Sequence, residues 1–160
     1  MASAEASGTV PNRQTQKIMA DFQTLLAAQL PFLRDLALNV VDGFNTLTGV
    51  MIGPEGTPYA NGHFPFLIQF PPEYPFKPPE FIFDPAVLHP NVHSGSGTAC
   101  HDQLMATWSP RVKLIQLLTE MHSLLAKPNY DAPVQGDIAV DTSPENCRQW
   151  TEKYAQPKKN

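Results

Sequence analysis

One cysteine set among glycine and serine residues is where side-chain chemistry could happen in this chain. Cys100 follows Ser94-Gly95-Ser96-Gly97-Thr98 and precedes His101-Asp102, with His89-Pro90-Asn91 upstream and Trp108-Ser109-Pro110 downstream. A thiol with a reference pKa of about 8.5 is only a few per cent thiolate at neutral pH, yet sulfur attacks well at that fraction and also leaves well. That combination suits an acyl group carried as a thioester. Cysteine is otherwise among the most buried residue types and often simply packs in a core. The polar loop around Cys100 argues against that reading, whereas Cys147, in the last helical stretch, keeps it. His89, His93, Cys100 and His101 are also zinc-ligand types, but their spacing resembles no common zinc signature, and adjacent Cys100 and His101 would have difficulty facing one tetrahedral ion. No metal is expected.

The elements that must position this loop can be read from period and punctuation. Asn12 can cap a helix in which Ile18, Met19, Phe22, Leu25, Leu26 and Leu30 fall on one stripe, with Pro31 ending it. Leu36, Leu38 and Val40 then alternate with polar or small residues, as do Leu47, Gly49 and Met51, and Phe64, Phe66, Ile68 and Phe70. Short polar turns between such strands predict antiparallel pairing, so the sheet should be a meander. Phe81-Ile82-Phe83 reads as a short fourth strand, followed to about residue 107 by a stretch without convincing period. Ordered loops of that length are usually functional. Pro110 sits where a first helical turn accepts proline, and Leu114, Leu117, Leu118, Met121, Leu124 and Leu125 form the buried stripe of a central helix ending before Pro128. Thr142-Ser143-Pro144-Glu145 opens a short last helix through about Tyr154. The expectation is an α+β domain: an N-terminal helix, a four-stranded antiparallel meander sheet, a long active-site loop, a central helix and a short C-terminal helix.

At 160 residues, 42% hydrophobic and 16% charged, the chain suits one packed core over 12–155, with tails at 1–11 and 156–160. No apolar run approaches the ~20 residues of a membrane span, and residues 1–9 lack the pattern of a secretory signal. Two cysteines give no disulfide framework, which points to a reducing compartment. A net charge of -4 argues against nucleic acid or an anionic membrane as partner.

The landmarks around Cys100, taken in order, resemble the ubiquitin-conjugating enzyme family. There a His-Pro-Asn motif precedes the active cysteine within one loop and a Trp stands eight residues after it, as Trp108 does here. The approach Tyr74-Pro75-Phe76-Lys77-Pro78-Pro79 fits as well, and the family's Gly-Pro-x-x-x-x-Pro-Tyr-x-x-Gly segment is reproduced from Gly53 to Gly62, apart in sequence from the cysteine loop. The likeness runs over nearly the whole chain. It implies the family's fold and an acyltransferase that accepts ubiquitin from an activating enzyme as a thioester on Cys100. The modifier then passes to substrate lysines with a ligase, or to a ligase cysteine. It also implies a place in the cytoplasm, the nucleus or both, and no cofactor, since ATP is used by the activating enzyme.

Residue by residue, the resemblance makes Cys100 the nucleophile and Asn91 the partner of acyl transfer. A neutral amide could donate to the developing oxyanion, or could equally hold its own loop. His89 and Pro90 then lock the loop. Asp102 and Asp131 are candidates to orient or help deprotonate the incoming lysine, against a solvated-carboxylate reading for both. Phe76, Ser109 and Pro110 match the two loops that grip RING or HECT ligases, unless Phe76 merely packs on its neighbouring prolines. The first helix normally meets the activating enzyme through a basic face, for which only Arg13 and Lys17 are available.

Three departures from the family pattern stand out. Ala132 replaces a residue that is often acidic or phosphorylatable, which shifts weight to Asp131. The span from His89 to Cys100 is one residue longer than usual, with the extra residue in 92–97, so a bulge is expected. Residues 133–154 are fewer than usual, so one C-terminal helix should shrink to a turn near 136–139. The rival functions are a conjugating enzyme for another ubiquitin-like modifier and a non-catalytic binding partner of the same fold. Variants of the second kind typically lack the cysteine that is present here.

Overall fold

A computed structural model describes residues 12–41, 44–99, 105–131, 133–134 and 141–157. Helix α1 (Arg13–Ala28) starts at Asn12, whose side chain accepts from the Thr15 N–H, and stops where Gln29 turns left-handed. Strands β1 (Leu33–Val41), β2 (Phe44–Ile52), β3 (His63–Phe70) and β4 (Glu80–Phe83) form one antiparallel sheet in sequence order, the expected meander. A bulge between Arg34 and Ala37, with Asp35 at φ 56°, offsets the first pairing. Helix α2 (Leu114–Ala126) and helix α3 (Pro144–Tyr154) complete the described elements.

In β2, β3 and β4 the alternation seen in the sequence is the burial pattern, whereas in β1 Leu36 and Leu38 are half-buried and Val40 is exposed. Leu47, Met51, Phe64, Phe66, Ile68, Phe81 and Phe83 face a single buried cluster that includes all six apolar stripe residues of α2. The Phe32 and His122 rings stack at 4.0 Å between the start of β1 and α2. Trp150 of α3 lies parallel to Phe64 at 6.5 Å, and the Ala155 carbonyl accepts from His63 N at 2.7 Å, which fastens the chain's last helix to β3. Ser143 caps α3 and Pro144 occupies its first turn, as the sequence indicates.

Two expectations need correction. Met19 and Leu26 are not in the α1 stripe: they are 44% and 41% exposed, while Thr15 and Asp21 are buried beside Ile18 and Leu25. The buried face is rotated because Asp21 finds ionic and hydroxyl partners inside, which hydrophobic spacing cannot report. Pro110 does not begin α2. That helix starts at Leu114 after an extended Lys113, and Pro110 lies in the preceding turn. The turn foreseen near 136–139 falls outside the described residues, as do the tail 1–11 and residues 158–160.

The rotated face makes adjacent positions unequal. Ile18→Ala should lower unfolding free energy by about 3 kcal/mol, and Met19→Ala by under ~1 kcal/mol, in urea titrations of the two variants.

Candidate active site

The loop after β4 is built on His89, which is 1% exposed. Its Nε2 lies 2.8 Å from the Leu124 carbonyl and its Nδ1 accepts from the Asn91 N–H at 2.9 Å. A carbonyl can only accept, so Nε2 carries the proton and the ring is neutral. Burial lowers its pKa from 6.5 to about 4, against the opposing pull of the Leu124 carbonyl. The Tyr59 ring sits 5.4 Å away and its hydroxyl donates to the Leu88 carbonyl at 2.7 Å. The Gly53 to Gly62 segment, distant in sequence, is therefore a wall of this loop. A Cβ at Gly53 would meet the Tyr59 carbonyl oxygen at 1.7 Å, so glycine there permits the approach.

Asn91, 3% exposed, donates through Nδ2 to the Asn129 carbonyl at 2.9 Å and accepts the Asn129 N–H on Oδ1 at 2.7 Å. Val134 N adds a bond to the Pro90 carbonyl at 2.9 Å. These bonds hold the segment after α2 against the His-Pro-Asn motif. Tyr130 and Asp131, both exposed, follow this clamp directly, with the Asp131 N–H capped by Asn129 Oδ1 at 3.1 Å.

Beyond Asn91 the chain doubles back. Val92 pairs antiparallel with Ala99, Thr98 pairs with Ile82, and the Ala99 N–H reaches the Phe81 carbonyl at 2.9 Å. The reversal is a turn closed by His93 N to Thr98 O at 2.9 Å and Gly97 N to His93 O at 2.8 Å. Gly97 holds φ 77°, and a Cβ there would meet the Phe83 carbonyl oxygen at 1.9 Å. The span in which the sequence places one extra residue contains this turn. Cys100, His101 and Asp102, and also Ala132, lie outside the described residues. Ala99, the last described residue of this loop, is paired with Val92, the neighbour of Asn91. Among the described residues no group of three or more His, Cys, Asp or Glu is arranged to hold a metal. Cys147 is 2% exposed, and its thiol pKa is raised by burial.

These features, together with the meander fold, were compared with known proteins. The sequence model of the family described as "Ubiquitin-conjugating enzyme" matches residues 16–156. The chain belongs to the ubiquitin-conjugating enzyme family. It is 37% identical over 123 residues to ubiquitin conjugating enzyme E2 B of Dictyostelium discoideum, covering 73% of this chain and 82% of that one. It is 38% identical over 120 residues to ubiquitin-conjugating enzyme E2 1 of Schizosaccharomyces pombe, covering 71% of this chain and 55% of that longer one. Among solved structures, a candidate ubiquitin conjugating enzyme of Plasmodium yoelii superposes with TM-score 0.73 at 26% identity, covering 92% of this chain and 99% of that one. The E2 domain of a Toxoplasma gondii ubiquitin conjugating enzyme gives 0.73 at 27% identity, covering 90% and 100%.

In this ubiquitin-conjugating enzyme the other described residues singled out from sequence lie between β3 and β4, in the turn before α2 and on α1. Phe76 is 78% exposed, so it does not pack on its neighbouring prolines. Its segment is tied to Ser109 and exposed Pro110 by the Trp108 indole, whose Nε1 donates to the Pro75 carbonyl at 2.9 Å. On α1, Arg13 is exposed, while Lys17 is drawn to Asp21 at 3.1 Å and is only 23% exposed. The sequence reading missed Asn129 as the clamp's other half and Asp21 as a buried ion. No helix among the described residues is long and apolar enough to cross a membrane.

His89 has a folded pKa below its unfolded one, so its contribution to stability is complete above about pH 6.5 and is lost as pH falls toward 4. The loss should be on the order of 3 kcal/mol. Urea unfolding at pH 7 and pH 4.5 should therefore show a steeper decline for the native protein than for His89→Gln, and the difference between the two profiles isolates this imidazole from other groups.

Proposed function

We propose that Cys100 accepts ubiquitin from an activating enzyme as a thioester and passes it, with a ligase, to a lysine or to a ligase cysteine. The observation that supports this reading is the Val92–Ala99 pairing, which sets the residue before Cys100 in sequence beside the neighbour of the clamped Asn91. In charging, the Cys100 thiolate attacks the activating enzyme's thioester carbonyl. A new S–C bond forms, the old one breaks, and the departing thiolate takes up a proton. In transfer, a neutral lysine amine attacks the Cys100 thioester carbonyl, a C–N bond forms, Sγ leaves and the amine's surplus proton goes to base or solvent. ATP is consumed by the activating enzyme, so this chain acts without cofactor or metal, in the cytoplasm or nucleus.

Asn91 stabilises the oxyanion that develops on the thioester carbonyl. Its amide is held in place by the Asn129 backbone, and a donor already fixed in place reorganises little as charge develops. Asp131, carried on the clamped segment, and Asp102, next to the nucleophile in sequence, orient the ammonium and favour its loss of a proton. Phe76, Ser109 and Pro110 form the ligase grip, and Arg13 and Lys17 meet the activating enzyme.

Incubation with activating enzyme, ATP and ubiquitin should give a heavier band that thiol reductant removes. Cys100→Ala should give none, and Cys100→Ser an oxyester that survives reductant. Asn91→Ala should charge normally but discharge to free lysine about a hundredfold to a thousandfold more slowly. Undiminished charging of Cys100→Ala ends the assignment, and charging only by another modifier replaces ubiquitin in it. If Asn91→Ala loses thermal stability and charging together, with no separate loss in discharge, the amide is a clamp alone.

Truncating a fully presented aromatic anchor typically costs about 2 kcal/mol of binding, roughly thirtyfold. Phe76→Ala should thus lose stimulation by RING or HECT domains while discharging to free lysine at the native rate. Equal stimulation of native and variant protein by every productive ligase would place the grip elsewhere.

A further inference from the structure

Asp21 is a buried carboxylate that the chemistry at Cys100 does not use. It lies on α1 at 5% exposure. Its Oδ2 takes Lys17 Nζ at 3.1 Å and the Tyr74 hydroxyl at 3.3 Å, and its Oδ1 is 3.8 Å from Lys113 Nζ. A charge buried to this degree persists only where partners replace the lost hydration. Two of the three partners belong to the segments that carry the exposed apolar residues. Tyr74 stands two positions before Phe76, and Lys113 stands three after Pro110.

Tyr74 is itself a hub at the base of the Phe76 turn. Its ring is 2% exposed and lies edge-on to Phe70 at 4.8 Å and tilted to Trp108 at 6.1 Å. Above it, the turn closes through Phe76 N and Lys77 N, both bonded to the Glu73 carbonyl at 2.8 and 3.2 Å. The far end of the Tyr74 ring meets Asp21. Burial, and then the Asp21 carboxylate, keep the Tyr74 hydroxyl protonated by raising its pKa, so it remains a donor across the physiological range.

We infer that Asp21 is a positioning residue for ligase binding: through the Tyr74 hydroxyl, and more weakly through Lys113, its carboxylate fixes the Phe76 and Pro110 segments relative to α1. This rests on the reading of those segments as the ligase grip. A knob held in place before contact loses less freedom on binding, so loosening its base weakens the ligase complex while leaving thioester chemistry alone.

Tyr74→Phe removes the hydroxyl and keeps the ring, and Asp21→Asn removes the charge at constant size. Native-state hydrogen exchange of the Phe76 and Lys77 amides reads the turn without any ligase. Both variants should speed exchange at those two amides about tenfold, with α2 amides unchanged in both and charging of Cys100 unchanged in Tyr74→Phe. Affinity for a RING domain chosen because it stimulates the native protein should fall about tenfold, and Tyr74→Phe should add nothing in a Phe76→Ala background. Should Asp21→Asn fail to fold, the Tyr74→Phe results decide. Unchanged exchange at both amides overturns the inference. So does a fully additive loss of affinity in the Phe76→Ala background, because Tyr74 would then act elsewhere. If the amides respond but Phe76→Ala binds the RING domain as the native protein does, the ligase reading of Phe76 fails instead, and with it the role of Asp21 in binding.

Discussion

A neutral imidazole with one protonated nitrogen joins the candidate site to the core. His89 gives its only N–H to the Leu124 carbonyl near the end of α2 and receives the Asn91 N–H on its other nitrogen. Helix ends leave carbonyls without intrahelical partners, and a buried one must be satisfied somehow. Here the same bond that satisfies it also places the His-Pro-Asn segment. Asn91 then repeats the device, closing two bonds on the backbone of Asn129. Loop 84–99 and the segment after α2 are thus held together by hydrogen bonds between neutral groups.

Asp21 meets its buried polar problem with charge. It is matched by Lys17 of its own helix and by Lys113 and the Tyr74 hydroxyl from distant parts of the chain. Neutral bonding leaves no fixed ion to bias the protonation of groups near the His89 loop.

What could be read from the chain beforehand divides along the range of the interactions. The Asn12 and Ser143 caps, the alternation of β2 and β3, and all six buried residues of α2 depend on contacts within a few positions or on a simple period, and they were legible. The family resemblance, carried by the His89, Cys100 and Trp108 landmarks, was legible too, and the sequence comparison agrees with it. Asp21 was not, because its hydroxyl partner is 53 positions away and a charged residue in a helix ordinarily signals the solvent face. The Asn91–Asn129 clamp spans 38 positions and involves backbone atoms, which have no identity in a sequence. Pro110 misled for a local reason: proline suits both the first turn of a helix and the tight turn that precedes one.

The reversal at 93–98 has a consequence for how this loop can vary. Its two legs are stitched at Val92–Ala99 and Thr98–Ile82, and its tip, His93 to Ser96, is exposed. Residues gained or lost at such a tip change its contour without changing the distance between the legs, because the stitches, and the glycine that lets one leg press on Phe83, fix that separation. Lengthening there is mechanically silent at the base. The tip is thus a tolerant place to accept a peptide tag or a probe.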